Sequence, residues 1–229
     1  MCIRDSSNYC NSAAAGVASG TDWRRGGEPY INQMFLMGGG GPASSETDGM
    51  HYIFVAVGAG LLYRDSVEID EQRFPILVKK MQLMEDSMGH GRRRGGQGTE
   101  VIMGPRKDPI HILHICNGLE SAPIGVRGGT GSKLGGNVRI DRDGKEHPYP
   151  AVMVCDLEEG ELLLARDQGG GGYGLPVERE PERVLRDVEN YVVSEEIARS
   201  VYGVALKGSR QDDNLEVDIK ETEKIRSSM

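Results

Sequence analysis

Apolar positions in the last third of the chain recur at helical spacing. Val184, Leu185, Val188, Tyr191 and Val192 fall three and four residues apart behind Pro181, which suits a first helical turn. Ser194 reads as the N-cap of a second helix, with Glu195 and Glu196 at its positive end. Ile197, Ala198, Val201 and Tyr202 form that helix's apolar face, and Gly203 is a natural stop. Upstream, the apolar residues come in short runs that predict strands at 52–57, 76–83, 99–103, 110–116, 138–140, 149–155 and 161–165. Turn residues between 103 and 110 predict a hairpin, and those at 158–160 predict a second strand pair. Leu215 to Val217 is a further apolar run, and the charged stretch from Asp218 has helical character. The expected fold class is α+β, a β-rich body with glycine-rich loops and short helices gathered near the C-terminus.

Residues 1–33 carry no sustained periodicity, and Met1 to Ser6 read as an irregular, non-native start. Composition shifts at Met34, so residues 34–229 are taken as one region. Within it glycine clusters at Gly38 to Gly41, Gly89 to Gly98, Gly125 to Gly136 and Gly169 to Gly174. Glycine loses more backbone entropy on folding than any other residue. Such runs make sense where the backbone takes a positive φ or presses closely against another surface.

The 229 residues suffice for a substantial core, and glycine, at 33 residues, is about twice its usual share. A net charge of −8 disfavours binding of the whole chain to nucleic acid or to an anionic membrane. No apolar run approaches the ~18 residues of a membrane span, and no signal peptide is legible. Cys2, Cys10, Cys116 and Cys155 show no C-x-x-C spacing, so a reduced, cytoplasmic setting is the expectation.

Candidate chemistry lies in two places. The loop from Gly89 to Gly98 carries Arg92, Arg93 and Arg94 among glycines. Its amides and guanidiniums, with Arg92, Arg94, Gly95 and Gly96 foremost, suit an anion; the alternative is an exposed basic turn. His51, three residues after Asp48, suits acid/base work or ligand contact, against the plainer reading of a histidine at a strand end. His111 and His114 point to opposite faces of a strand and do not suggest a metal site. The glycine run at 169–172 lacks the lysine of a phosphate-binding P-loop and the G-x-G-x-x-G pattern, so a structural role in close packing is expected.

Four elements in order resemble the B subunit of the hydantoinase/oxoprolinase family. They are Gly38 to Gly41 with Asp48, Gly49 and His51; Asp86 to Gly98; Gly169-Gly-Gly-Gly-Tyr-Gly-Leu-Pro-Val-Glu-Arg with Pro181-Glu-Arg-Val-Leu-Arg-Asp-Val; and Val193-Ser-Glu-Glu-Ile-Ala-Arg with Val201-Tyr-Gly-Val. The resemblance implies a C-terminal part of a longer subunit, since the family's Asn-Asp-Pro and histidine-containing segments have no counterpart in residues 1–33. It implies a hydantoinase A-like partner that uses the ATP, a hetero-oligomer, and ATP-dependent opening of a small cyclic amide. This stretch itself would bind no cofactor, and a divalent metal would belong to the part that is not here. Related pairs carboxylate ketones, which is the alternative reaction. A scaffold without chemistry is the third.

Overall fold

The computed structural model describes residues 16–34, 38–53, 66–115 and 117–229. The sequence-predicted strand at 52–57 therefore lies largely outside the described residues, as does Cys116. Two antiparallel sheets account for most strands. The first has the order β2-β1-β5-β8, from Glu28–Met34, Gly16–Asp22, Ile110–Ile115 and Val152–Leu157. The second has the order β3-β4-β9-β6-β7, from Ile76–Leu83, Thr99–Pro105, Leu162–Arg166, Gly136–Ile140 and Glu146–Tyr149.

Their inner faces pack together through Ala18, Ile112 and Cys155, which lie side by side in the first sheet, and through Val101 and Ala165 in the second. Strand β8 shows the cause, because Met153, Cys155 and Leu157 alternate inward while Val152, Val154 and Asp156 face out.

Two expectations are corrected here. β4 and β5 exist but do not form a hairpin, because β4 pairs with β3 and β9 while β5 pairs with β1 and β8. β8 and β9 likewise lie in different sheets. Turn residues mark where a chain reverses, not whether it returns to the same sheet. At the first crossing Arg106 holds the chain, donating from its amide to Pro75 O and from Nε to Ile76 O, with its Nη2 on Glu71 at 2.9 Å. The third difference is at the start, where β1 and β2 form within a stretch read as irregular. Ala18 is fully buried at the sandwich centre, and its small side chain contributes little to a periodicity reading.

The C-terminal elements make a second core. Helices α2 (Pro181–Glu189) and α3 (Glu195–Ser200), which follow α1 (Val67–Arg73) in the chain, pack Val184, Val188 and Ala198, with Tyr202 just beyond α3, around Met88. Leu215 lies beside the short strand β11 (Glu216–Val217), which pairs with β10 (Leu206–Lys207). The predicted caps are present, as Pro181 opens α2 and the Ser194 hydroxyl accepts from the Ile197 amide. Helix α4 (Ile219–Arg226) begins at Asp218, whose carboxylate accepts from the Glu221 amide. No helix among the described residues is long and apolar enough to cross a membrane.

Between the two cores lies a lattice of glycine backbone. The Gly170 amide donates to Gly96 O, and Gly170 O accepts from the Gly89 amide. The Gly96 amide in turn donates to Gly41 O, and that of Gly41 to Met50 O. Each segment bonds to more than one neighbour, so the array extends in three dimensions and not as a sheet. A Cβ added at Gly40, Gly95, Gly96 or Gly170 would fall well inside 3.0 Å of another segment's backbone. None of these four has a positive φ, so glycine is required there for space and not for conformation.

Candidate functional site

The lattice edge nearest α2 gathers the charged residues. Asp48 projects from the segment after Gly41, and its Oδ1 accepts the Arg94 amide at 3.0 Å. The Gly49 amide returns a bond to Arg94 O at 2.7 Å, which fixes these two segments against each other. Arg179, on the short turn before α2, grips Asp48 with both terminal nitrogens, at 2.8 and 2.9 Å. The same guanidinium reaches Asp187 of α2 through Nε at 3.0 Å and Nη2 at 2.7 Å. Arg94 Nε meets the other oxygen of Asp187 at 2.9 Å, and Arg183 Nη2 meets Asp48 Oδ2 at 2.7 Å. The result is an alternating row, Arg183–Asp48–Arg179–Asp187–Arg94, with the Arg179 side chain 2% exposed.

Electrostatics within the row follow from its geometry. Burial works against the charge on Asp48, but the hydrogen bonds and positive charge of Arg179, with Arg94 and Arg183, outweigh it and hold the carboxyl below its ordinary range. Burial also works against the charge on Arg179, and Asp48 and Asp187 overcome it, so the guanidinium stays protonated. Asp48 is therefore an ionised, fully engaged carboxylate. Its chemistry is positioning.

His51 has different partners from Asp48. Its Nδ1 accepts the Gln97 amide at 3.0 Å, which places the ring proton on Nε2. Burial, and then the charge of Arg94, lower its pKa, so the ring is neutral near pH 7.

The basic loop is already filled. Six successive amides are committed within the protein: Arg92 to Gly174 O, Arg93 to Tyr173 O, Arg94 to Asp48, Gly95 to Gly89 O, Gly96 to Gly41 O and Gln97 to His51. The anion that this loop holds is the carboxylate of Asp48. Arg94 turns inward, whereas the Arg92 side chain is exposed beside Gly174. The structure thus joins Asp48, Arg94 and the loop backbone; Arg92 contributes its carbonyl, which accepts from Arg179 Nη1 at 3.0 Å, while its side chain stays outside the row.

Sequence reasoning missed Arg179, Arg183 and Asp187. One signal was available: Asp187 falls on the buried stripe of α2 with Val184 and Val188, where a carboxylate requires a cationic partner. The row forms one wall of a cleft of about 390 Å³, lined by Asp48, Arg179, Arg183 and Asp187 together with Glu180 and Arg186.

His111 and His114 stand apart from this site. His111 is exposed and meets Asp156 at 2.6 Å, while His114 is 1% exposed on the opposite face of β5. Among the described residues no group of three His, Cys, Asp or Glu side chains converges to hold a metal ion.

Comparison with known proteins gives four consistent findings. The family model for hydantoinase B/oxoprolinase matches residues 3–176. The chain is 31% identical over 207 residues to caprolactamase subunit beta of Pseudomonas jessenii, covering 87% of this chain and 36% of that protein. It is 29% identical over 195 residues to the acetophenone carboxylase delta subunit of Aromatoleum aromaticum, covering 71% of this chain and 28% of the other. Among solved structures, the ATP-dependent caprolactamase of Pseudomonas jessenii superimposes with a TM-score of 0.80 at 28% identity, over 99% of this chain and 39% of that one. The chain thus spans little more than a third of the caprolactamase polypeptide.

Proposed function

The chain belongs to the hydantoinase B/oxoprolinase family, and from that premise we propose that it is part of a B-type subunit in the ATP-dependent opening of a cyclic amide. The observation that carries this reading is the likeness to caprolactamase subunit beta along 87% of the chain. In this reading an A-type partner uses the ATP to phosphorylate the amide oxygen. The phosphate removes the resonance that makes an amide inert, water adds to the carbon, and the ring C–N bond breaks to leave an acyl phosphate; a second water then releases phosphate and the ring-opened amino acid, with ADP as the other product.

The residues of this chain shape and hold a wall for that reaction. Asp48 and Arg94 act as positioning residues, because their charges are spent on Arg179 and Asp187. His51 is the candidate for direct contact: its Nδ1 is fixed by Gln97, and the Nε2–H is its remaining donor.

Ketone carboxylation is the second reading, supported by the similarity to the acetophenone carboxylase delta subunit. The test combines the protein with an A-type subunit and measures ATP hydrolysis. Lactam- or hydantoin-dependent turnover supports the amide reading, and bicarbonate-dependent consumption of a ketone replaces it with the second. His51→Ala is expected to abolish turnover while leaving assembly intact. Full turnover in that variant removes His51 from the chemistry.

A further inference from the structure

The cleft beside the ion-pair row has donors that the protein does not use. Both inner carboxylates are saturated: Asp48 accepts from Arg94, Arg179 and Arg183, and Asp187 from Arg94 and Arg179. Three guanidiniums therefore face two carboxylates, leaving one positive charge in excess. Arg186, one turn beyond Arg183 on α2, adds another, and among the described residues its guanidinium makes only a long 3.4 Å contact from Nε to Glu182 O. Opposing them at the rim is Glu180, which is exposed and well hydrated. The N-terminal end of α2, nine residues long, opens onto the same space and contributes partial positive charge.

We propose that this cleft binds a compact oxyanion, a carboxylate or a phosphate, held by Arg183 and Arg186 in front of the buried Arg179. The two outer guanidiniums present planar N–H pairs matched to oxyanion geometry. Arg179 and Arg183 are fixed by Asp48 and Asp187 before any ligand arrives, so Arg186 is the one outer side chain that binding must order. The inference rests on the cleft and stands whether or not the reaction proposed above is correct.

The test titrates the 229-residue protein with sodium phosphate and, separately, with sodium acetate, at ionic strength held constant with chloride, and follows binding by calorimetry. Saturable binding of either anion is expected, and the arm that saturates identifies the ligand class. Arg186→Gln removes a side chain that has no ion pair among the described residues, so it should fold normally and weaken binding about tenfold, the loss of one charge-assisted pair. Arg183→Lys, which keeps the charge, should weaken it by a smaller factor. Arg199→Gln, whose partner is Glu221 away from the cleft, should bind as the parent does. Absence of saturation with both anions, or unchanged affinity in Arg186→Gln and Arg183→Lys, overturns the proposal.

Discussion

In the sandwich, Val101 and Ile112 belong to one core held by interlocking side chains, whereas in the lattice Gly96 and Gly170 meet as bare backbone. The two regions fail differently. A trimmed side chain in the sandwich leaves a cavity whose cost is graded by volume, often 2–5 kcal/mol for loss of a whole branch. An added methyl in the lattice has no room, since the obstructing atoms are main-chain carbonyls and amides of other segments. The lattice is also costly to order. Each glycine gives up roughly 0.5–1 kcal/mol more than alanine on folding, about what one hydrogen bond returns. Such an array is stable only when all its segments arrive together, so the loops carrying Asp48, His51 and Arg94 are set as one body.

The largest effect should come from the lattice itself. Gly170→Ala drives a Cβ into Gly41 O and should cost about 4 kcal/mol or more, enough to leave the protein insoluble or unfolded. Soluble yield and urea unfolding read this out, and a well-folded variant of near-parental stability would erase the distinction between the regions. Next comes the charged row that ties the lattice to α2. Asp187→Asn leaves Arg94 and Arg179 without their shared carboxylate and should cost roughly 3–5 kcal/mol by urea denaturation.

A pH series probes both regions at once. His90, beside Tyr202 at the lattice edge, and His114, in the sandwich, are each pushed down to about 4, in both cases by burial. The unfolded chain takes up these protons near its ordinary histidine pKa of ~6.5, the folded one only near 4, so stability falls as pH drops through that window. Between pH 7 and 5 the loss should be about 2 kcal/mol per histidine, and replacing either by glutamine should flatten the slope by that share. The smallest effect is expected at Gly136→Ala in β6, where nothing lies within 4 Å of the new methyl; stability should stay within about 1 kcal/mol of the parent.

Much of this contrast was legible in the sequence. Pro181 and Ser194 marked two helix starts, because capping is local chemistry. The glycine runs signalled close backbone approach, although the segments they would meet lie tens of residues away. Strand pairing was not legible, since the Pro105 to Pro109 turn has the same residues whether the chain returns to its sheet or crosses to another. At the site, Asp48 and Arg94 stood out by their loop, but their partner Arg179 sits 131 residues from Asp48 and has no local signal. Asp187 on an apolar helical stripe was the one mark of that arrangement available in sequence alone.

Native-state hydrogen exchange of the lattice amides tests the central claim most directly. The amides of Gly41, Gly89, Gly96, Gly170 and Gly172 each donate to another segment's carbonyl, outside any helix or strand. If backbone contact makes this region a single rigid body, they should exchange only through global opening, with the same free energy as the strands of the sandwich. Exchange near unprotected rates at these five glycines, with the sandwich amides still protected, would contradict the account.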